Sequence, residues 1–189
     1  MKTIYKERGN FIDKKASVSK TGLKSISGVL KSKKQIKLSD ELTEIIQHSS
    51  KIARHLRHPR IQNLHFLLAL VLSNNGTLFR VFRQLNIQSE VLLSMTEQEL
   101  EELETCGKGF SKNPRHSDDA NHILQVASLE AKLLRSEKVC PEHLLLSILR
   151  FENDKAAQIL IICGLNYETV KMPLHELYGL PVLTTGRQN

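Results

Sequence analysis

The sequence predicts an all-α protein: two tandem four-helix repeats closed into a pseudo-twofold bundle, preceded by a basic, disordered N-terminal arm. Three observations carry that reading. First, Asn63-Leu64-His65-Phe66-Leu67-Leu68-Ala69-Leu70 returns 78 residues later as Pro141-Glu142-His143-Leu144-Leu145-Leu146-Ser147-Ile148. The same ungapped offset pairs Ser39 with Ser117, Asp40 with Asp118, Ala53 with Ala131, Leu56 with Leu134 and Arg57 with Arg135. That period is too long for a solenoid unit, so two copies of one helical module are the simpler account. Second, apolar residues recur at helical spacing in both copies. Third, the chain has no Trp and only 5% aromatic residues, and its many Leu and Ile favour helix packing over a β-sandwich.

Taken in order, residues 1–38 hold ten Lys and one Arg against Glu7 and Asp13. The net charge of +7 therefore belongs to this arm, and the remainder is slightly acidic. The arm lacks sustained periodicity and is read as disordered and solvated. It has no apolar core of the kind a signal peptide needs, and Lys in place of Arg argues against a transit peptide. The first repeat is placed at 39–94. Ser39 caps a helix with Asp40 and Glu41 in its first turn, and Leu42, Ile45, Ile46, Ile52 and Ala53 mark one face. The helix should stop before Pro59. Asn63 caps a second helix that is apolar on most sides and so should be its module's buried centre. Asn74-Asn75-Gly76 breaks the chain. A third helix then carries Leu78, Val81, Phe82 and Leu85, and a fourth begins near Ser89.

A connector is placed at 95–116, although the acidic, Leu-spaced stretch from Met95 to Glu104 can extend the fourth helix. The second repeat, 117–177, follows the same plan. Ser117 caps, Pro141 opens the central helix, Gly164 stops the third, and the last runs from about Tyr167 to Leu177. Residues 178–189 are read as a flexible end. No apolar run approaches the roughly 20 residues needed to span a bilayer. Cys106, Cys140 and Cys163 form no C-x-x-C, which points away from a disulfide framework or a zinc site and towards a reducing, cytoplasmic setting.

Two tandem modules, each with a long first helix and a His-Leu-Leu or His-Phe-Leu start to its second, resemble the Clp N-terminal domain found ahead of the ATPase rings of Clp unfoldases. The resemblance covers about Leu38 to Leu177 and is strongest at Pro141-Glu142-His143-Leu144-Leu145-Leu146. It implies a non-catalytic domain that docks proteins or peptides: a Clp ATPase or peptidase, an adaptor, or a substrate. It also implies a phosphoarginine-type ligand at the family's Glu, a role that maps onto Glu142 alone because Leu64 stands at the related position. No G-x-x-x-x-G-K-[ST] phosphate loop occurs, so the expectation is a family domain standing alone, without ATPase modules, catalytic residues, cofactor or metal.

The candidate binding residues are Glu142, His143, Asn63 and His65. For both histidines the competing reading is structural: a ring that packs and hydrogen-bonds at a helix start. Glu142 has its own competing role, favouring the helix N-terminus electrostatically. His48, His55 and His58, interleaved with Arg54, Arg57 and Arg60, read as a solvated cationic face. The alternative function is nucleic-acid binding or regulation through the basic arm, with affinity that falls steeply with salt.

Overall fold

The computed structural model describes residues 36–73, 76–106 and 113–181. The arm at 1–35, the Asn74-Asn75 break, residues 107–112 of the connector and the end at 182–189 lie outside the described residues.

Helix α1 (Asp40–His55) starts where its cap dictates. The Ser39 hydroxyl accepts the N–H of Leu42 at 3.1 Å, and Asp40 and Glu41 occupy the first turn. The buried stripe is Leu42, Ile45, Ile46, Ser49, Ile52 and Ala53. Seven helices follow among the described residues: α2 (Asn63–Leu72), α3 (Gly76–Gln84), α4 (Ser89–Glu101), α5 (Asp118–Leu133), α6 (Pro141–Leu149), α7 (Lys155–Ile162) and α8 (Tyr167–Leu177). A shift of 78 residues carries α1 onto α5 end for end. Helix α2 begins one residue earlier than its cap was expected: Gln62 is the cap and Asn63 the first helical residue.

Among the described residues four two-residue strands complete the frame: β1 (Lys37–Leu38), β2 (Arg60–Ile61), β3 (Arg115–His116) and β4 (Lys138–Val139). They are too short to leave a periodic signal in the sequence. β1 pairs in parallel with β4, Lys37 facing Lys138, and β2 pairs in parallel with β3, Arg60 facing Arg115. Shifting one pairing by the repeat offset gives the other with its partners exchanged, which is the signature of a twofold. The caps lock the exchange. Ser39 N–H donates to Val139 O at 2.9 Å and Ser117 N–H to Ile61 O at 2.8 Å.

The helices interleave in the same sense. Central helices α2 and α6 touch each other, α3 packs on α6 and α8, and α7 packs on α2 and α4. The third helix of each copy therefore rests on the other copy, and one core runs from Leu42 to Leu174. The sequence-based boundaries need three adjustments. Residues Lys37 and Leu38, assigned to the arm, form a strand. The first part of the 95–116 connector is helix, because α4 runs to Glu101 and buries Thr96 and Leu100. Tyr178 and Leu180, assigned to the flexible end, pack against the core.

Both long helices stop with a left-handed residue. After α1, Arg57 takes φ +58°, its N–H reaches Arg54 O, and His58 N–H reaches Ala53 O. After α5, Arg135 takes φ +52°, with matching bonds to Lys132 O and from Ser136 N–H to Ala131 O. This closure satisfies the last carbonyls but suits glycine best, as at Gly164 after α7. A non-glycine residue there costs about 1–2 kcal/mol. Arg57→Gly and Arg135→Gly are accordingly expected to raise the unfolding free energy by about 1 kcal/mol each in urea denaturation. A loss of stability would show that the fold itself needs the arginine side chains.

Candidate functional site

The four candidate residues sit at the first turns of the two central helices, and all are buried. Every residue of α6, and every residue of α2 except Leu72, is inside the protein. At this depth each polar atom needs a partner.

His65 closes the start of α2 from within. Its Nδ1 accepts the Gln62 N–H at 2.9 Å, which places the ring proton on Nε2. That Nε2–H donates to His58 Nδ1, 2.8 Å away. Burial, then the neighbouring His58, hold the His65 pKa down at about 3. His58 is therefore not part of a solvated face, whereas Arg54, His55, Arg57 and Arg60 are exposed. His143 repeats the arrangement at α6, its Nδ1 accepting Cys140 N–H at 2.8 Å. Burial lowers its pKa to about 4. Here the position related to His58 is Ser136, whose hydroxyl donates instead to Lys138 O at 2.7 Å. Nε2 of His143 is left buried without a partner, its ring packed 5.7 Å from that of Tyr178. Both histidines thus stand as neutral helix-closing groups, and neither imidazole reaches the surface.

Glu142 accepts a 2.6 Å hydrogen bond from the Tyr178 hydroxyl, and burial raises its pKa despite that bond. Glu41, in the first turn of α1, is raised as well, first by burial and then by the charge of Glu142. Its carboxyl lies where a side chain at Gly76 would project, and Gly76 adopts φ +78°, so glycine is needed there on both counts. In the first copy, Leu64 and Leu100 occupy the positions related to Glu142 and Tyr178, and both are buried. An apolar pair in one copy is a hydrogen-bonded polar pair in the other.

Asn63 belongs to a different corner. Its Nδ2 donates to Asp154 Oδ2 at 2.8 Å, and Asp154 Oδ1 caps α7 through Ala156 N–H. The pair lies in the wall of an open cavity of about 530 Å³, together with Asp119, His122, Arg150 and Phe151. Beside it, the carboxylate of Glu130, only 1% exposed, is bridged by Arg150 and by the Tyr167 hydroxyl. Burial and that carboxylate push the Tyr167 pKa up to about 12. The sequence reading missed Glu41, Glu130, Arg150, Asp154, Tyr167 and Tyr178. Two sets were open to a comparison of the copies: Leu100 to Tyr178, which accompanies Leu64 to Glu142, and Ile52 to Glu130, which accompanies Leu72 to Arg150 and Ser89 to Tyr167. Among the described residues no group of three or more His, Cys, Asp and Glu is placed to hold a metal ion. All three cysteines are free.

The family model described as Clp repeat (R) N-terminal domain matches residues 37–161. The chain belongs to the Clp N-terminal domain family. It is 24% identical over 152 residues to the chaperone protein ClpB of Oceanobacillus iheyensis, covering 80% of this chain and 18% of that protein. It is 23% identical over 148 residues to the ClpC ATP-binding subunit of Staphylococcus aureus, covering 78% and 18%. The chain thus spans about a fifth of the length of these curated relatives. Among solved structures, the Hsp104 N-terminal domain from Candida albicans superposes with a TM-score of 0.66 at 19% identity, covering 77% of this chain and 93% of that one. A ClpV N-domain in complex with a VipB peptide superposes with a TM-score of 0.59 at 18% identity, covering 76% and 88%. At these identities the neighbours establish the shared Clp N-domain fold. No single helix among the described residues is long and apolar enough to cross a membrane.

Two tests follow from the buried polar groups. Tyr178→Phe removes the donor to Glu142 and is expected to lower stability at neutral pH by about 1–3 kcal/mol. The deficit should shrink as pH falls and Glu142 protonates, which urea melts at several pH values would follow. For His143 the folded-state pKa lies below the ordinary 6.5. Its contribution is complete above pH 6.5 and is lost as pH falls through about 4, a span worth about 3 kcal/mol at most. His143→Gln should flatten the stability profile across that window.

Proposed function

We propose that this chain is a non-catalytic protein-binding module that serves Clp-type chaperone or proteolytic machinery as an accessory, adaptor or substrate-recognition element. The observation that carries the reading is its full pseudo-twofold Clp N-domain fold, shared with a ClpV N-domain whose solved form holds a VipB peptide. The surface suits such a role. Leu129 and Leu133 on α5, and Ile161 and Ile162 on α7, remain exposed by 41–69%. These side chains are available to a partner segment.

His65 and His143 shape the helix starts, whereas Asn63 lies in the wall of the open cavity. A guanidinium group approaching Glu142 would have to displace the Tyr178 hydroxyl and pass into a site only 3% exposed. Recognition of phosphorylated arginine at Glu142 therefore requires local opening, and Leu64 offers no carboxylate in the other copy. The open cavity beside Asn63 needs no such opening and is the more accessible of the two corners.

Affinity capture with the full chain as bait, followed by mass spectrometry, tests the reading. Enrichment of a Clp ATPase, a Clp peptidase subunit or their substrates is expected, and it should survive nuclease treatment. Enrichment confined to nucleic-acid-binding proteins, and lost with nuclease, would favour the basic-arm alternative instead.

A further inference from the structure

Six exposed cations fall into two related groups: Arg57, Arg60 and Arg115 at one corner, and Arg135, Lys138 and Lys37 at the other. The repeat offset maps Arg57 to Arg135, Arg60 to Lys138 and Lys37 to Arg115. Within each corner the fold sets two like charges face to face. Arg60 is the register partner of Arg115 across β2–β3, and Lys37 that of Lys138 across β1–β4. Like charges held side by side repel one another. The third cation of each corner, three residues before the strand, is an arginine in the left-handed conformation that disfavours side chains.

None of the six makes an ion pair among the described residues. Acids close to them in sequence, Asp40, Asp118 and Glu137, form no ion pair with a corner cation. Two unfavourable choices thus recur at related positions in both copies, with no ion pair among the described residues to offset them. Strained or repelling groups that persist in this way mark functional surface.

We infer that the two corners are docking points for an acidic segment of a partner protein, its Asp and Glu carboxylates pairing with the exposed cations. This rests on the protein-binding reading above and adds the chemical class of what is bound. Guanidinium groups engage carboxylates in bidentate fashion, which gives direction as well as attraction. The remainder of the chain after residue 38 is slightly acidic. A short acidic segment can engage a three-cation corner against this nearly neutral background, whereas a long polyanion would be drawn first to the strongly basic first 35 residues.

Fluorescence anisotropy with the full chain tests this. The probes are a Glu/Asp-rich peptide, a Ser/Gln-rich peptide of equal length and a single-stranded oligonucleotide. The variants are Arg60→Glu with Arg115→Glu, Lys37→Glu with Lys138→Glu, and Arg57→Gly with Arg135→Gly. The first 35 residues are common to all of them, so their contribution cancels. The acidic peptide is expected to bind more tightly than the neutral one, more weakly as salt rises, and about tenfold more weakly in each charge-reversed protein. The glycine variant, folded by circular dichroism, should also lose affinity. If peptides bind but charge reversal changes nothing, the acidic-segment inference is overturned while the protein-binding reading stands. If only the oligonucleotide binds, the acidic-segment inference falls. Binding of none of the three probes overturns the corner sites and weakens the wider reading with them.

Discussion

Helices α2 and α6 have no polar side, and that constraint organises the molecule. A helix that is apolar all round must be covered on every face. Three further helices from the same copy do not suffice, because the third helix of each copy packs on the other copy's central helix. The fold closes only when both copies are present. The exchanged pairings β1–β4 and β2–β3, and the serine N–H bonds to Val139 O and Ile61 O, fasten the two copies at the points where the chain enters its helices. Each buried leucine of the shared core contributes on the order of 1.5–3 kcal/mol, so neither copy can leave without exposing the other's centre.

Burying helix starts this deeply creates a second problem, which the two histidines solve. The first N–H groups of a helix have no partner within it. At a surface water would serve; inside the core a side chain must. An imidazole at the third helical position reaches back to the cap N–H with Nδ1 while its apolar edge packs. The cost is a donor on the far side of the ring. In the first copy His58 takes that proton; in the second, Ser136 is occupied with Lys138 O and the donor stays unmatched. The same histidine therefore sits in a completed network once and in an incomplete one once.

Much of this was legible in the sequence, for reasons that are physical. The 78-residue echo predicted the duplication, because a helix buried on every side is mostly apolar and keeps its few polar residues at fixed positions. Serine caps at Ser39 and Ser117 fixed the starts of α1 and α5 because capping is local chemistry. What escaped depends on contacts distant in the chain. Two-residue strands such as Lys37–Leu38 carry no period to detect. Tyr178 looked like part of a fraying end, since nothing near it in sequence shows that a buried carboxylate 36 positions earlier awaits a donor. His58 looked solvated because its neighbours Arg57, Pro59 and Arg60 are; its burial comes with its hydrogen bond to the buried ring of His65, which nothing local in the sequence announces.

The copies have diverged differently inside and outside. One interior difference is a matched set, Leu64 with Leu100 against Glu142 with Tyr178, because a lone carboxylate in a closed core costs more than the pair it belongs to. Another is unmatched: His58 gives way to Ser136 while His65 and His143 stay the same, and Nε2 of His143 is left without a partner. Exposed positions face no such coupling and are free to drift independently. Yet arginine stands at both left-handed turns, where the backbone favours glycine, and a cation stands at all four outward strand positions. The interior is explained by what it touches within the fold. The cationic corners are not, and a feature retained in both copies against its own backbone preference is most economically explained by something outside the chain that both corners meet.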